Sequence, residues 1–192
     1  MTPQAFASLL QAYHDTDYWV KVGSTSLCIK SGSTGFWPQL ANLIHSQPHN
    51  SLIESKTKRA PELGFGCIIS AANPGSKCLS VAENERQHDQ LSQLIRATGK
   101  PHWPTVAKAG HGAEQWPDEA GLLVWEVTQQ DCIHWCRQFQ QLAVVFLPYL
   151  KPAQLAFWPQ HQALAPLLSQ QMLNPSGAII NHTIKYSWLK AE

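Results

Sequence analysis

The residues with chemical potential in this chain gather around one stretch. Residues 64–80 read GFGCIISAANPGSKCLS, an apolar run that stops at Asn73-Pro74 and gives way to Gly75, Ser76 and Lys77 before a helix start. Backbone N–H groups at a helix start attract anions, and a nearby lysine adds charge. Ser70, Asn73, Ser76 and Lys77 are therefore candidate contacts for a small polar, nucleotide-like or phosphorylated ligand. The glycine patterns G-x-x-x-x-G-K-[ST] and G-x-G-x-x-G are absent, so a plain Asn-Pro chain reversal stands beside that reading. On the helix that follows, Val81, Asn84, His88, Leu91 and Ile95 share one stripe at helical spacing. Leu91 and Ile95 belong to a core, and Asn84 and His88 then face inward within two turns of the helix start. A buried polar group without a partner costs about 1–3 kcal/mol. Asn84 must therefore bond the backbone of the 72–76 turn, as most buried side chains do, or face a cleft. His88 is the one candidate acid–base group, since an imidazole titrates near neutrality.

A second segment adds binding-type side chains. Residues 110–119, GHGAEQWPDE, carry His111, Trp116 and Glu119 in a loop just before a strand, and loops held by a rigid scaffold are frequent sites of function. The plainer alternative is that Trp116 folds back on the core. Metal binding is not expected. Cys132 and Cys136 are four apart but share a face with Trp135 and Phe139, which makes them core thiols, and Pro48 spoils the helical spacing of His45 and His49. There is no G-x-S-x-G and no C-x-x-C. Catalytic residues and cofactor remain unassigned.

Composition narrows the class. The chain has 192 residues, 44% of them hydrophobic and only 14% charged, with a net charge of +1. That excludes a disordered chain and gives no basic footprint for nucleic acid. Lys56-Thr57-Lys58-Arg59 sits in a polar stretch and reads as a solvated loop. No run approaches the ~20 apolar residues that cross a bilayer, so no membrane partner is expected, and the first residues lack the pattern of a secretory leader. Five cysteines, an odd number, fit free thiols in a reducing cytoplasm.

The elements that must position these residues alternate between strand and helix, which predicts one α/β (or α+β) domain with helices packed on a mixed β-sheet. Helices are expected over 3–14, 39–46, 81–98, 129–141 and 160–172. Ser80 with Glu83 and Thr128 with Asp131 form capping boxes for two of them. Strands are expected over 18–22, 27–29, 64–71, 105–108, 122–127, 143–147, 155–158 and 178–188, the first two paired across Gly23-Ser24. Residues 31–62 read as a loop-rich insertion, with an exposed loop over 46–62, and residues 148–192 as a C-terminal extension packed on the core.

Four segments, AYHDTDYWV (12–20), CIISAANPGSKCLSVAENERQHDQLSQLI (67–95), GHGAEQWPDEAGLLVWEV (110–127) and FQQLAVVFL (139–147), resemble the DUF3293 family of small bacterial proteins of unknown function. The family's central motif is Thr-Ala-Trp/Tyr-Asn-Pro, followed by Ser and then Asn at a helix start. Ser70, Ala71, Asn73, Pro74, Ser80 and Asn84 fit it, and Ala72 departs from it by lacking the ring. The resemblance implies an intracellular bacterial protein and supplies no activity. Two functional readings follow. One is a small-ligand site built from the 70–77 turn, Asn84 and His88, with His111, Trp116 and Glu119 from the loop. The other is a protein–protein interaction or regulatory module, with a homodimer among its forms, in which the eight tryptophans and the extension supply apolar surface.

Overall fold

The computed structural model describes residues 2–45, 65–110, 116–158, 161, 164, 179–180 and 184–188. The chain opens with helix α1 (Pro3–Asp15), whose N-cap Thr2 accepts a hydrogen bond from the Ala5 N–H at 3.2 Å. Phe6 and Leu10 bury the inward face of α1. Strands β1 (Asp17–Val22) and β2 (Thr25–Ile29) form the expected hairpin, with Val20 opposite Leu27 and Trp19 opposite Cys28. Gly23 takes a φ of 57° in the turn between them, a conformation that costs glycine nothing. Helix α2 covers Trp37–His45.

Strand β3 (Phe65–Ser70) leads through a short 3-10 turn (Pro74–Ser76) into helix α3 (Val81–Ala97). Strands β4 (His102–Lys108) and β5 (Glu119–Val127), helix α4 (Gln129–Gln138) and strands β6 (Ala143–Leu147), β7 (Gln154–Phe157), β8 (Ile179–Ile180) and β9 (Ile184–Trp188) complete the order. The sheet runs β2-β1-β4-β5-β3-β6-β7-β9-β8. Neighbours are antiparallel except β7 and β9, which are parallel, so the sheet is mixed.

Alternation along the central strands gives the sheet two buried faces. Ile68, Leu123, Trp125, Val145 and Leu147 point to the side covered by α1 and α2. Cys67, Ile69, Leu122, Val124 and Phe146 point to the side covered by α3 and α4. Both capping boxes form: the Ser80 hydroxyl accepts from Glu83 N–H at 3.3 Å while Glu83 accepts from Ser80 N–H at 3.0 Å, and Thr128 and Asp131 repeat the exchange. Cys132, Trp135 and Cys136 are buried on α4, as their spacing suggested.

Several boundaries differ for identifiable reasons. The strand expected at 105–108 begins at His102, because Pro104 lies just beyond Val20↔Thr105, the last pair with β1, where no donor is missed. Strand β5 begins at Glu119 rather than Leu122, since Glu119 and Ala120 still pair with Ala107 and Val106. Helix α4 stops at Gln138, three residues early, where Gln140 turns to a φ of 52°. The final strand is two short strands that pair antiparallel. Val81 is exposed, so the stripe it shares with Asn84 turns to solvent at the helix tip. The loop at 46–62 lies outside the described residues, as does the helix at 160–172 apart from His161 and Leu164.

Gly121 sits where three strands meet. A Cβ there would lie 2.7 Å from the Ile69 carbonyl oxygen and 2.9 Å from Thr105 Oγ1. Gly121→Ala is expected to lower stability by about 1–3 kcal/mol in denaturant melts, as overpacking does. Gly35→Ala, which meets nothing within 4 Å, should stay within about 0.5 kcal/mol of the parent.

Candidate functional site

The site begins where β3 ends. The Ser70 hydroxyl donates to the Ala120 carbonyl at 2.9 Å and accepts from the Ala72 N–H at 3.0 Å, which turns the chain off the end of the strand. Asn73 then adopts the left-handed conformation, φ 49° and ψ 55°. Asparagine tolerates this better than most residues. Gly75 and Ser76 follow with φ of 62° and 60°. The turn is pinned from outside by the Gly75 N–H, which donates to the Gln140 carbonyl at 2.8 Å. Gln141 Nε2 donates to the Ala72 carbonyl at 2.9 Å.

Asn73 is buried and its side chain joins three segments. Its backbone N–H donates to Asn84 Oδ1 at 2.9 Å. Its Oδ1 accepts from the Leu79 N–H at 2.9 Å and from Asn84 Nδ2 at 3.0 Å. Its Nδ2 donates to Glu119 Oε1 at 2.8 Å, and Trp116 Nε1 donates to the same oxygen at 2.9 Å. Glu119 Oε2 accepts no hydrogen bond among the described residues.

Between α1 and this turn lies a cavity of about 210 Å³. Leu9, Ala12, Ala72, Ala107 and Ala109 supply aliphatic wall, and Tyr13, Tyr18 and Trp116 supply rings. Thr16, Asn73, Ser76, Gln141 and Glu119 supply polar groups. A smaller cavity of about 50 Å³ shares Tyr13, Tyr18, Glu119 and Gln141 and reaches Ser70 and Thr105. Glu119 carries the one formal charge in either lining among the described residues.

Burial dominates the electrostatics. It pushes the Glu119 carboxyl above its ordinary range, and the hydrogen bonds from Asn73 and Trp116 only partly oppose it. Burial likewise raises Tyr13, with the Glu119 charge adding to it and a hydrogen bond with Ser76 working against it. Tyr18 is raised well above its ordinary value by burial, then by Tyr13 and Glu119. Both phenols thus stay neutral donors and acceptors beside a carboxylate. The Tyr18 hydroxyl donates to the Tyr13 carbonyl at 3.4 Å.

Among the residues singled out from the sequence, Asn73, Ser76, Trp116 and Glu119 line the larger cavity and Ser70 the smaller. Asn84 stands behind Asn73 and bonds both its backbone and its side chain. His88 lies deeper along α3, with Nε2 3.5 Å from Ser92 Oγ, and burial lowers its pKa. It lines neither cavity, and exposed Lys77 lines neither. His111 lies outside the described residues. The pattern did not single out Tyr13, Tyr18 or Gln141, since a tyrosine on an apolar helix face or strand reads as core. Among the described residues, no group of three or more His, Cys, Asp or Glu side chains is placed to hold a metal ion. None of the described helices is long and apolar enough to cross a membrane.

Residues 69–144 match the model of the family DUF3293, described as a protein of unknown function. The match runs from the end of β3 into β6. It holds the Asn73 turn, α3 and Glu119 but not α1 or β1. No curated protein and no solved structure matches the chain.

Two measurements test this geometry. Asn84→Ala leaves the Asn73 N–H without its acceptor and should cost about 1–3 kcal/mol in a denaturant melt. Burial makes the folded chain hold the Glu119 proton more tightly than the unfolded chain does. That contribution is fully present below the ordinary carboxyl range and is lost as pH rises through the raised folded value. Glu119→Gln keeps an oxygen for Asn73 and Trp116. It should therefore melt at or above the parent temperature near neutrality, with the gap narrowing towards about pH 4.

Proposed function

We propose that this chain, with the segment that matches DUF3293 forming one wall, binds a small polar ligand in the cavity between α1 and the 70–77 turn. The observation that supports this reading is a carboxylate in a largely aliphatic and aromatic recess. Glu119 is held there by Asn73 and Trp116 through one oxygen, while its other oxygen has no partner among the described residues. A concave, mostly apolar pocket with a few convergent polar groups is the usual form of a small-molecule site. The nucleotide-like version of the reading places a base against Trp116 with its N–H groups towards Glu119.

The interaction-module reading draws on the exposed side chains of Phe65, Val81 and Leu150. Exposed apolar residues are ordinary on soluble surfaces, so the cavity carries more weight. All five cysteines are free thiols, which supports a reducing compartment such as the bacterial cytoplasm.

Ala72 offers the test, because it is buried and lines the cavity. An indole at that position would occupy the space. A thermal-shift screen of small polar compounds, nucleosides and nucleotides among them, should find a compound that raises the melting temperature of the parent. A ligand at about 100 times its Kd adds ~2.7 kcal/mol of stability. The shift should vanish in Ala72→Trp. An equal shift in that variant would place the ligand elsewhere, and a screen without hits, extended to small amines and alcohols, would sink the proposal.

A further inference from the structure

We infer that the head of the ligand is a protonated primary amine seated on Glu119, an assignment that rests on the ligand-binding reading above. Charge is the first argument. The cavity lining holds one formal charge, that of Glu119, and no Lys, Arg or His among its described residues. A phosphate or carboxylate would enter a recess that offers it a negative charge and, among the described residues, no cation. Lys77, the cation nearest in sequence, is exposed and lines neither cavity.

The geometry of Glu119 narrows the class further. Its Oε1 already accepts from Asn73 Nδ2 at 2.8 Å and from Trp116 Nε1 at 2.9 Å. A carboxylate oxygen has two lone pairs, so this one is filled. A planar guanidinium makes its strongest, two-pronged pairing with both carboxylate oxygens, and only Oε2 is open among the described residues. An ammonium group needs one. It presents three donors with no fixed plane, and the wall supplies further acceptors in the hydroxyls of Ser76 and Tyr13. The rings of Tyr13, Tyr18 and Trp116 line the same recess, and an aromatic face attracts a cation. Leu9 and Ala107 offer aliphatic wall to the rest of the molecule. The ligand that fits is a short amine with an apolar or aromatic body.

The test compares molecules that differ in the head alone. Binding of 2-phenylethylamine, n-butylamine, 2-phenylethanol and adenosine monophosphate is measured by calorimetry near neutral pH on the full chain, on Glu119→Gln and on Ala72→Trp. At least one amine should bind, 2-phenylethanol should bind at least tenfold more weakly than 2-phenylethylamine, and Glu119→Gln should lose at least tenfold for the amine. Ala72→Trp should abolish binding. If the alcohol or the nucleotide binds as well as the amines, is blocked by Ala72→Trp and is indifferent to Glu119→Gln, the amine assignment fails and the ligand site stands. If nothing binds, or Ala72→Trp changes nothing, both fail. Should either variant not fold, the amine–alcohol ratio on the parent and the loss on Ser76→Ala decide the assignment.

Discussion

The left-handed backbone of Asn73 is the constraint on which the rest of the site depends. At φ 49° the chain reverses tightly enough for one side chain to reach three segments. The hydrogen bonds of Asn73 tie the turn to Asn84 on α3, to the Leu79 N–H before that helix and to Glu119 at the start of β5. Each such bond is worth only about 0.5–1.5 kcal/mol net, but a folded domain keeps just ~5–15 kcal/mol in all. Their joint effect is more specific than stabilising. They set the Glu119 carboxylate in one position against the turn, and the indole N–H of Trp116 holds the same oxygen from the loop side.

The opposite wall is fixed by packing rather than by polar bonds. A Cβ at Gly110 would overlap the Asp15 carbonyl, so the chain leaving β4 presses directly on the end of α1. That contact sets the last turns of α1, with Leu9, Ala12 and Tyr13, over the end of the sheet where Glu119 begins β5. The ring of Tyr13 packs edge-on against Phe157 at 6.0 Å, which keeps it at the wall. The cavity is thus bounded by a hydrogen-bonded face and an apolar face, and the difference between them gives it direction.

What the sequence discloses is what short-range physics decides. The capping boxes at Ser80 and Thr128 act over three residues, and the β1–β2 hairpin follows from a glycine turn between alternating strands. Helical spacing alone brought Asn84 towards the turn. The same spacing could not say how deep the turn reached. Val81 therefore ends in solvent and His88 lies beyond the cavity against Ser92. The bond from Asn73 to Glu119 spans 46 residues and depends on β3 pairing with β5 at Ser70↔Gly121. A register of that kind is set by the whole sheet and leaves no local mark. Tyr13 and Tyr18 are hidden for a related reason, since a tyrosine on an apolar helix face or strand reads as core and only the assembled fold sets both beside the recess.

Ala72 shows how a site can be opened without disturbing its frame. The resemblance drawn from the sequence implies an aromatic ring immediately before Asn-Pro, and here that position holds a methyl group that is buried and lines the cavity. Trimming a packed ring to alanine usually costs about 3–5 kcal/mol, because the surroundings collapse only in part. Here collapse is resisted from both sides. Gln141 holds the Ala72 carbonyl at 2.9 Å, and Ser70 holds its N–H at 3.0 Å. The backbone of the turn cannot move inward without breaking both. Space beside Ala72 therefore persists, walled by rings and aliphatic groups that gain from being covered. In the proposed binding reading, an occupant would restore packing that a ring at this position would supply, and Glu119 would set which occupants enter.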